Sequence, residues 1–118
     1  MCKVTVVIPN YKGEKYLIPC LKSVYEMTGI PVHVIVVDNG SSDASIETAK
    51  ERYPQTEFIC FLKNYGFCRA VNAGIKASRT PYVILLNNDT KVREGFVENL
   101  LHRIEENERC FSVEAKML

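Results

Sequence analysis

Residues 3–9 read KVTVVIP, a β-branched apolar run that ends in a proline. Such a run fits a pleated surface covered on both faces, so it predicts a buried strand. The period of the pattern then changes. Over residues 14–27 the apolar positions are Leu17, Leu21 and Val24, with Cys20 beside them, and this i, i+4, i+7 spacing predicts a helix. Thr28-Gly29-Ile30-Pro31 stops it. Residues 32–37 repeat the buried-strand pattern. Ser41-Ser42-Asp43 then offers N-cap side chains to a helix marked by Ile46, Ala49 and Tyr53, ending at Pro54. Residues 57–62 predict a third strand, and Phe67, Val71 and Ile75 mark a third helix that ends near residues 78–81. Residues 82–86 predict a fourth strand. Val97, Leu100, Leu101 and Ile104 mark a fourth helix, and residues 110–113 open a fifth strand. Strands alternating with helices over short connections build βαβ units. Right-handed crossovers make these a mainly parallel sheet with helices on both faces.

The bulk properties are consistent with this. A length of 118 residues, 47% of them hydrophobic, suits one domain over residues 1–118 with a core of its own. Fifteen basic and 14 acidic residues leave a net charge of +1, so nothing suggests a nucleic-acid partner or a polybasic membrane surface. No apolar run approaches the roughly 18 residues of a membrane span, and the opening run does not resemble a signal peptide. The five cysteines are scattered, odd in number and without a CxxC pair, which predicts reduced core thiols in a cytoplasmic protein.

Each predicted strand ends in a polar cluster: Pro9-Asn10-Tyr11-Lys12-Gly13, Asp38-Asn39-Gly40-Ser41-Ser42-Asp43, Lys63-Asn64-Tyr65-Gly66, and Asn87-Asn88-Asp89-Thr90. In a parallel sheet all four lie on the carboxyl edge, where open α/β sheets bind ligands. Singly, each cluster is also an ordinary turn. The first turn lacks GxGxxG, and there is no GxxxxGK[ST], which disfavours a dinucleotide cofactor and excludes a P-loop. A phosphorelay receiver has this layout but needs an acidic pair after the first strand, where this chain has Pro9-Asn10. His33 and His102 fall away from the polar edge and read as structural or surface residues. Cys68, near a helix start, has no base beside it and reads as a packing residue. What remains suits a nucleoside diphosphate. A carboxylate can accept from a base N–H or a ribose hydroxyl, Tyr11 can stack on a base, and Arg69 can pair with phosphate. A hard divalent ion can bridge diphosphate oxygens to a single carboxylate. A non-catalytic nucleotide-binding module and a receiver-like domain using Asp38 share the same edge.

These segments resemble the family 2 glycosyltransferases of the GT-A fold, over essentially the whole chain. VVIPNYKGEKYLIPCLKSV is similar to that family's first strand, loop and helix, and VIVVDNGSSDAS to its acidic DDGSxD segment, with Asn39 at the second Asp. NYGFCRAVNAGIKAS resembles N-x-G-F-x-x-A-x-N-x-G, and PYVILLNNDTKVREGFVENLL the strand that carries D-x-D. N-x-D in place of D-x-D is a feature of the rhamnosyltransferase-like, cell-surface polysaccharide branch. The resemblance implies a Rossmann-like α/β GT-A fold with strand order 3-2-1-4. It implies inverting, metal-assisted transfer from a UDP- or dTDP-sugar to a saccharide or lipid-linked acceptor. By the same resemblance Pro9 and Tyr11 line the base pocket, Asp38 binds a pyrimidine N–H, and Arg69 and Asn72 lie near base and diphosphate. Asn87 or Asn88 reaches the ribose, and Asp89 holds Mn2+ or Mg2+. The general base of such an enzyme is expected beyond Leu118. The chain is therefore read as the donor-binding half of a larger enzyme, truncated in its C-terminal part, which binds donor and turns over poorly. It is also expected to self-associate through an open sheet edge, and to be cytoplasmic, with the full-length enzyme peripheral at the membrane.

Overall fold

The structure, a computed structural model, describes residues 3–13, 15–41, 43–89 and 91–106, the last three by backbone alone. Four parallel strands, β1 (Val4–Asn10), β2 (His33–Asp38), β3 (Glu57–Cys60) and β4 (Tyr82–Leu85), lie in the order β3-β2-β1-β4. This is the expected order, with β1 in the middle paired on both sides. Helices α1 (Leu17–Met27), α2 (Ser45–Arg52), α3 (Phe67–Ala77) and α4 (Phe96–Glu106) fill the connections and follow β4. The fifth-strand expectation at residues 110–113 lies outside the described residues.

The strand alternation separates two cores. Val6, Ile8, Val34 and Val36 face Leu17, Leu21 and Val24 of α1 and Ala49 of α2. Val4 and Ile84, on that same side, meet Val97, Leu100 and Leu101 of α4. The opposite residues, Val7, Ile35 and Val37, meet α3 through Ala70. Among the described residues, three helices therefore cover one face and a single helix the other. Each of these buried Val, Leu or Ile side chains is worth about 1.5–3 kcal/mol of transfer free energy. At the amino end of β1, the buried Thr5 hydroxyl bonds Thr80 Oγ1 at 2.7 Å and accepts from Ser78 Oγ at 3.1 Å, which ties the α3–β4 connection to the central strand.

Four sequence expectations change. Of the cysteines expected in the core, Cys20 is buried, but Cys60 and Cys68 are exposed, so Cys68 is not a packing residue. The N-cap of α2 is Ala44, one residue beyond the expected cluster. Asp43 still serves the helix start by accepting from Ser45 N at 3.2 Å. β3 stops at Cys60, and Leu62, expected within the strand, is 98% exposed. The stripe Phe67, Val71, Ile75 is not the seated face of α3: Phe67 is 52% and Ile75 44% exposed, whereas Ala70 and Gly74 are buried. The helix lies so close to the sheet that a Cβ on Gly74 would sit 2.4 Å from Val7 Cγ1 and 3.3 Å from Val37 Cγ2. Only small residues permit that approach, so the large apolar side chains occupy the neighbouring sector of the helix.

Gly74→Val is therefore expected to lower stability by about 2 kcal/mol in chemical denaturation, because overpacking outweighs the modest helix-propensity gain over glycine. An unchanged or higher midpoint would contradict the close seating of α3.

Candidate functional site

The register brings the strand ends together. Asn10 pairs with Asp38, Asp38 with Cys60, and Leu86 N donates to Val7 O as the chain leaves β4. Asn10 is 2% exposed, and its side chain makes three hydrogen bonds. Its Nδ2 donates to Asp38 Oδ1 and to Ser45 Oγ, each at 3.2 Å, while its Oδ1 accepts from Asn88 Nδ2 at 2.9 Å. One amide thus joins β1, β2, the first turn of α2 and the turn after β4. Gly13 makes room for it, since a Cβ there would lie 2.1 Å from Asn10 Oδ1 and 2.4 Å from Asn88 Nδ2.

The loops interlock above this point. Lys12, at a φ of 50°, donates its N–H to Ser41 Oγ at 2.7 Å. Gly40, at a φ of 80°, presses on the third loop, where a Cβ would meet Lys63 Cα at 2.5 Å. Asn39 accepts from Tyr65 N at 2.9 Å and donates to Gly66 O at 3.0 Å. The Cys20 thiol lies 3.7 Å from Asn87 O, aimed to donate to it. Burial pushes that thiol up to about 12, with the nearby Asp89 charge adding to the shift, so Cys20 stays a neutral packing group.

The cleft enclosed by these loops has a volume of about 330 Å³. Pro9, Asn10 and Tyr11 form one wall and Asn39 the next. Asn64 and Phe67 form the third, and Asn87, Asn88 and Asp89 the fourth. Five expected site residues are therefore assembled here: Pro9, Tyr11, Asn87, Asn88 and Asp89. Asp38 is not at the cleft wall. It is 5% exposed, with Oδ1 taken by Asn10 and Oδ2 accepting from Ser41 N at 3.1 Å. That enclosure also removes the accessible carboxylate that a receiver-like role for Asp38 requires. Arg69 and Asn72 are exposed on α3 outside the lining, and the Arg69 guanidinium lies 5.5 Å from the Tyr65 ring centroid. Asn10, Asn39, Asn64 and Phe67 were not expected as site residues. For Asn39 a signal was present, since it stands where the resembled motif has a second Asp.

Among the described residues the lining holds five asparagine amides and one carboxylate, Asp89, with no cation among them. Tyr11, 44% exposed, and Phe67 offer aromatic faces. No cluster of three or more His, Cys, Asp or Glu side chains suited to a metal occurs among the described residues. Asn88 spends its Nδ2 on Asn10, which leaves its Oδ1 as an acceptor beside Asp89. A hard divalent ion fits one carboxylate and neighbouring amide oxygens if the ligand supplies the remaining oxygens.

The profile described as "Glycosyl transferase family 2" matches residues 5–115. The glycosyltransferase GlyA of Streptococcus pneumoniae is 34% identical over 106 residues, which are 88% of this chain and 15% of that protein. The crystal structure of S. aureus TarS 1-349 in complex with UDP-GlcNAc superposes with a TM-score of 0.79 at 21% identity, over 90% of this chain and 32% of that one. The mannosyltransferase PcManGT of Pyrobaculum calidifontis, in complex with GDP-Man and Mn2+, gives 0.76 at 21% identity, over 86% and 32%. The sheet and helices are those of GT-A glycosyltransferases, and the chain spans about a third or less of the length of each of these proteins.

Removing the central amide with Asn10→Ala is expected to cost about 3 kcal/mol, because Asp38, Ser45 and Asn88 all lose a buried partner. Asn72→Ala, at an exposed site, is expected to stay within about 0.5 kcal/mol. Urea unfolding of the two variants tests the contrast, and equal effects would show that the Asn10 bonds carry no special weight.

Proposed function

The chain belongs to glycosyl transferase family 2, and we propose that its cleft receives the nucleoside diphosphate of a UDP- or dTDP-sugar. The observation that carries this reading is the lining itself, which among the described residues has one carboxylate, five amides, two aromatic faces and no cation. Amides and aromatic rings suit a base and a ribose, whose edges are neutral hydrogen-bonding groups. A diphosphate bears charge that this lining does not neutralise, so a divalent cation fits beside it.

Pro9, Tyr11 and Phe67 hold the base between apolar and aromatic surfaces. Asp38 supports this wall from beneath through Asn10, and the polar group that meets the base edge is the neighbouring Asn39. Asn87 or Asn88 bonds the ribose hydroxyls. Asp89, with amide oxygen from the same turn, holds Mn2+ or Mg2+. When bound, the ion supplies Lewis-acid stabilisation of the departing diphosphate. The amino end of α3 adds a favourable dipole near the phosphates, and Arg69 and Asn72 extend the site along that helix.

Inverting transfer needs a general base for the acceptor hydroxyl. Among the described residues the lining has no carboxylate beyond Asp89, and in this reading the 118 residues by themselves bind donor without turning it over efficiently. In an enzyme as long as these relatives the sugar passes to a saccharide or lipid-linked acceptor, at the cytoplasmic side and peripheral to the membrane. No described helix is long and apolar enough to cross a membrane. Self-association through the edges of β3 and β4 belongs to the same reading, and size-exclusion light scattering is expected to show a mass that rises with concentration.

UDP- and dTDP-sugars are expected to raise the unfolding temperature, more with Mn2+ than without, since binding to the native state alone stabilises it. GDP-sugars serve as the comparison. Asp89→Ala is expected to remove the metal-dependent part, and Asn87→Asp to keep or increase it. An Asp89→Ala variant with the full metal effect would move the ion elsewhere.

A further inference from the structure

We infer that Asn39 is a positioning residue: its amide clamps the third loop to build the cleft wall, and the clamp requires a neutral side chain at that position. The inference rests on the donor reading of the cleft only for its binding consequence, because the clamp is formed by the fold itself. Asn39 is 5% exposed and contacts one short stretch of backbone with both ends of its amide. Oδ1 accepts from Tyr65 N at 2.9 Å, and Nδ2 donates to Gly66 O at 3.0 Å. The two bonds fix which end of the amide is oxygen.

The segment held this way is special in its backbone. Gly66 has φ 96° and ψ 162°, a region costly for any residue with a Cβ, and a Cβ there would meet nothing within 4 Å. Glycine is therefore needed for the dihedral and not for space. Asn64 Oδ1 accepts from Gly66 N at 2.8 Å within the same turn. The two residues that flank the clamped pair, Asn64 and Phe67, are the ones that line the cleft. Asn39 thus determines where the third wall stands and where α3 begins.

A carboxylate at position 39 cannot make this clamp. It would still accept from Tyr65 N, but its second oxygen would face the Gly66 carbonyl with no proton between them, in a nearly dry site. A protonated carboxyl restores both bonds, since its O–H donates to Gly66 O. Asn39→Asp therefore turns the clamp into a proton-dependent one. The neutral form is favoured in the native fold, so this carboxyl titrates above the usual range. The clamp is complete below that pKa and lost as pH rises through it. The charged groups on surrounding elements are Asp38 beside it, Lys12 on the first loop, Lys63 and Arg69 over the Tyr65 ring, and Asp89 across the cleft. All of them are present in the unsubstituted chain too, and its own pH profile is the reference for the variant.

The test measures UDP affinity by calorimetry and Tyr65 amide exchange by NMR, for the unsubstituted chain and Asn39→Asp from pH 5 to 8. At pH 8 the variant is expected to bind UDP about thirtyfold more weakly and to exchange the Tyr65 amide faster. The ratio to the unsubstituted chain should close as pH falls. Equal affinity and equal exchange at pH 8 would overturn the clamp, as would a deficit that stays constant across the range. If Asn39→Asp does not fold at pH 8, Asn39→Ala replaces it, with about tenfold weaker binding and faster Tyr65 exchange at all pH values. An Ala variant matching the unsubstituted chain in both would also overturn the inference. Should the unsubstituted chain bind no UDP, the donor reading fails, and Tyr65 exchange alone still decides the clamp.

Discussion

The side chain of Asn10 is the point on which the site depends. A parallel sheet places strand ends side by side but does nothing to hold the loops that leave them. Here one buried amide uses both N–H groups and its oxygen to join β1 to Asp38, Ser45 and Asn88. Asp38 and Ser45 bracket the β2–α2 connection, and Asn88 lies in the turn after β4. Had any of these groups been left unpaired at this depth, the cost of burying it would have matched a sizeable part of a small domain's stability. The polar knot thus adds modest net energy and strong specificity: the loops either meet in this arrangement or leave buried donors and acceptors without partners.

That knot explains how acidic and amide residues divide their roles. Asp38 is the more chemically suggestive residue of its turn, yet its carboxylate is turned inward and consumed by Asn10 and the Ser41 amide. The neutral Asn39 beside it reaches the cleft. Asp89 stands at the cleft wall, close enough to Cys20 to contribute to the upward shift of that thiol. Asp38 and Asn39, adjacent at the end of β2, point to opposite sides, so the one supports and the other is presented.

Much of the architecture could be read from patterning. The period change between residues 3–9 and the Leu17, Leu21, Val24 series placed β1 and α1, and the polar strand ends placed the cleft. Two features were hidden for physical reasons. Periodicity identifies α3 but favours its bulkiest stripe, whereas the close seating on Val7 and Val37 selects the small residues Ala70 and Gly74. Reasoning about sites favours charge, so it promoted Asp38 and Arg69 over Asn10, Asn39 and Asn64. Amides show their function only once their partners are known, and those partners are distant: Asn10 and Asn88 are separated by 78 positions.

That separation also sets the order in which the molecule can be made. Asn10 finds Asp38 after 28 further residues and Asn88 only after 78. The added closure entropy is small, about 1 kcal/mol. The delay on the ribosome is not, because at roughly 5–20 residues per second the fourth wall lags the second by several seconds. Through that interval a nascent chain has no cleft, and the Val-Thr-Val-Val-Ile side of β1 awaits a partner. An unpaired β-branched edge of this kind invites pairing with another chain. The central strand, best protected in the finished protein, is thus the one most in need of shielding during synthesis.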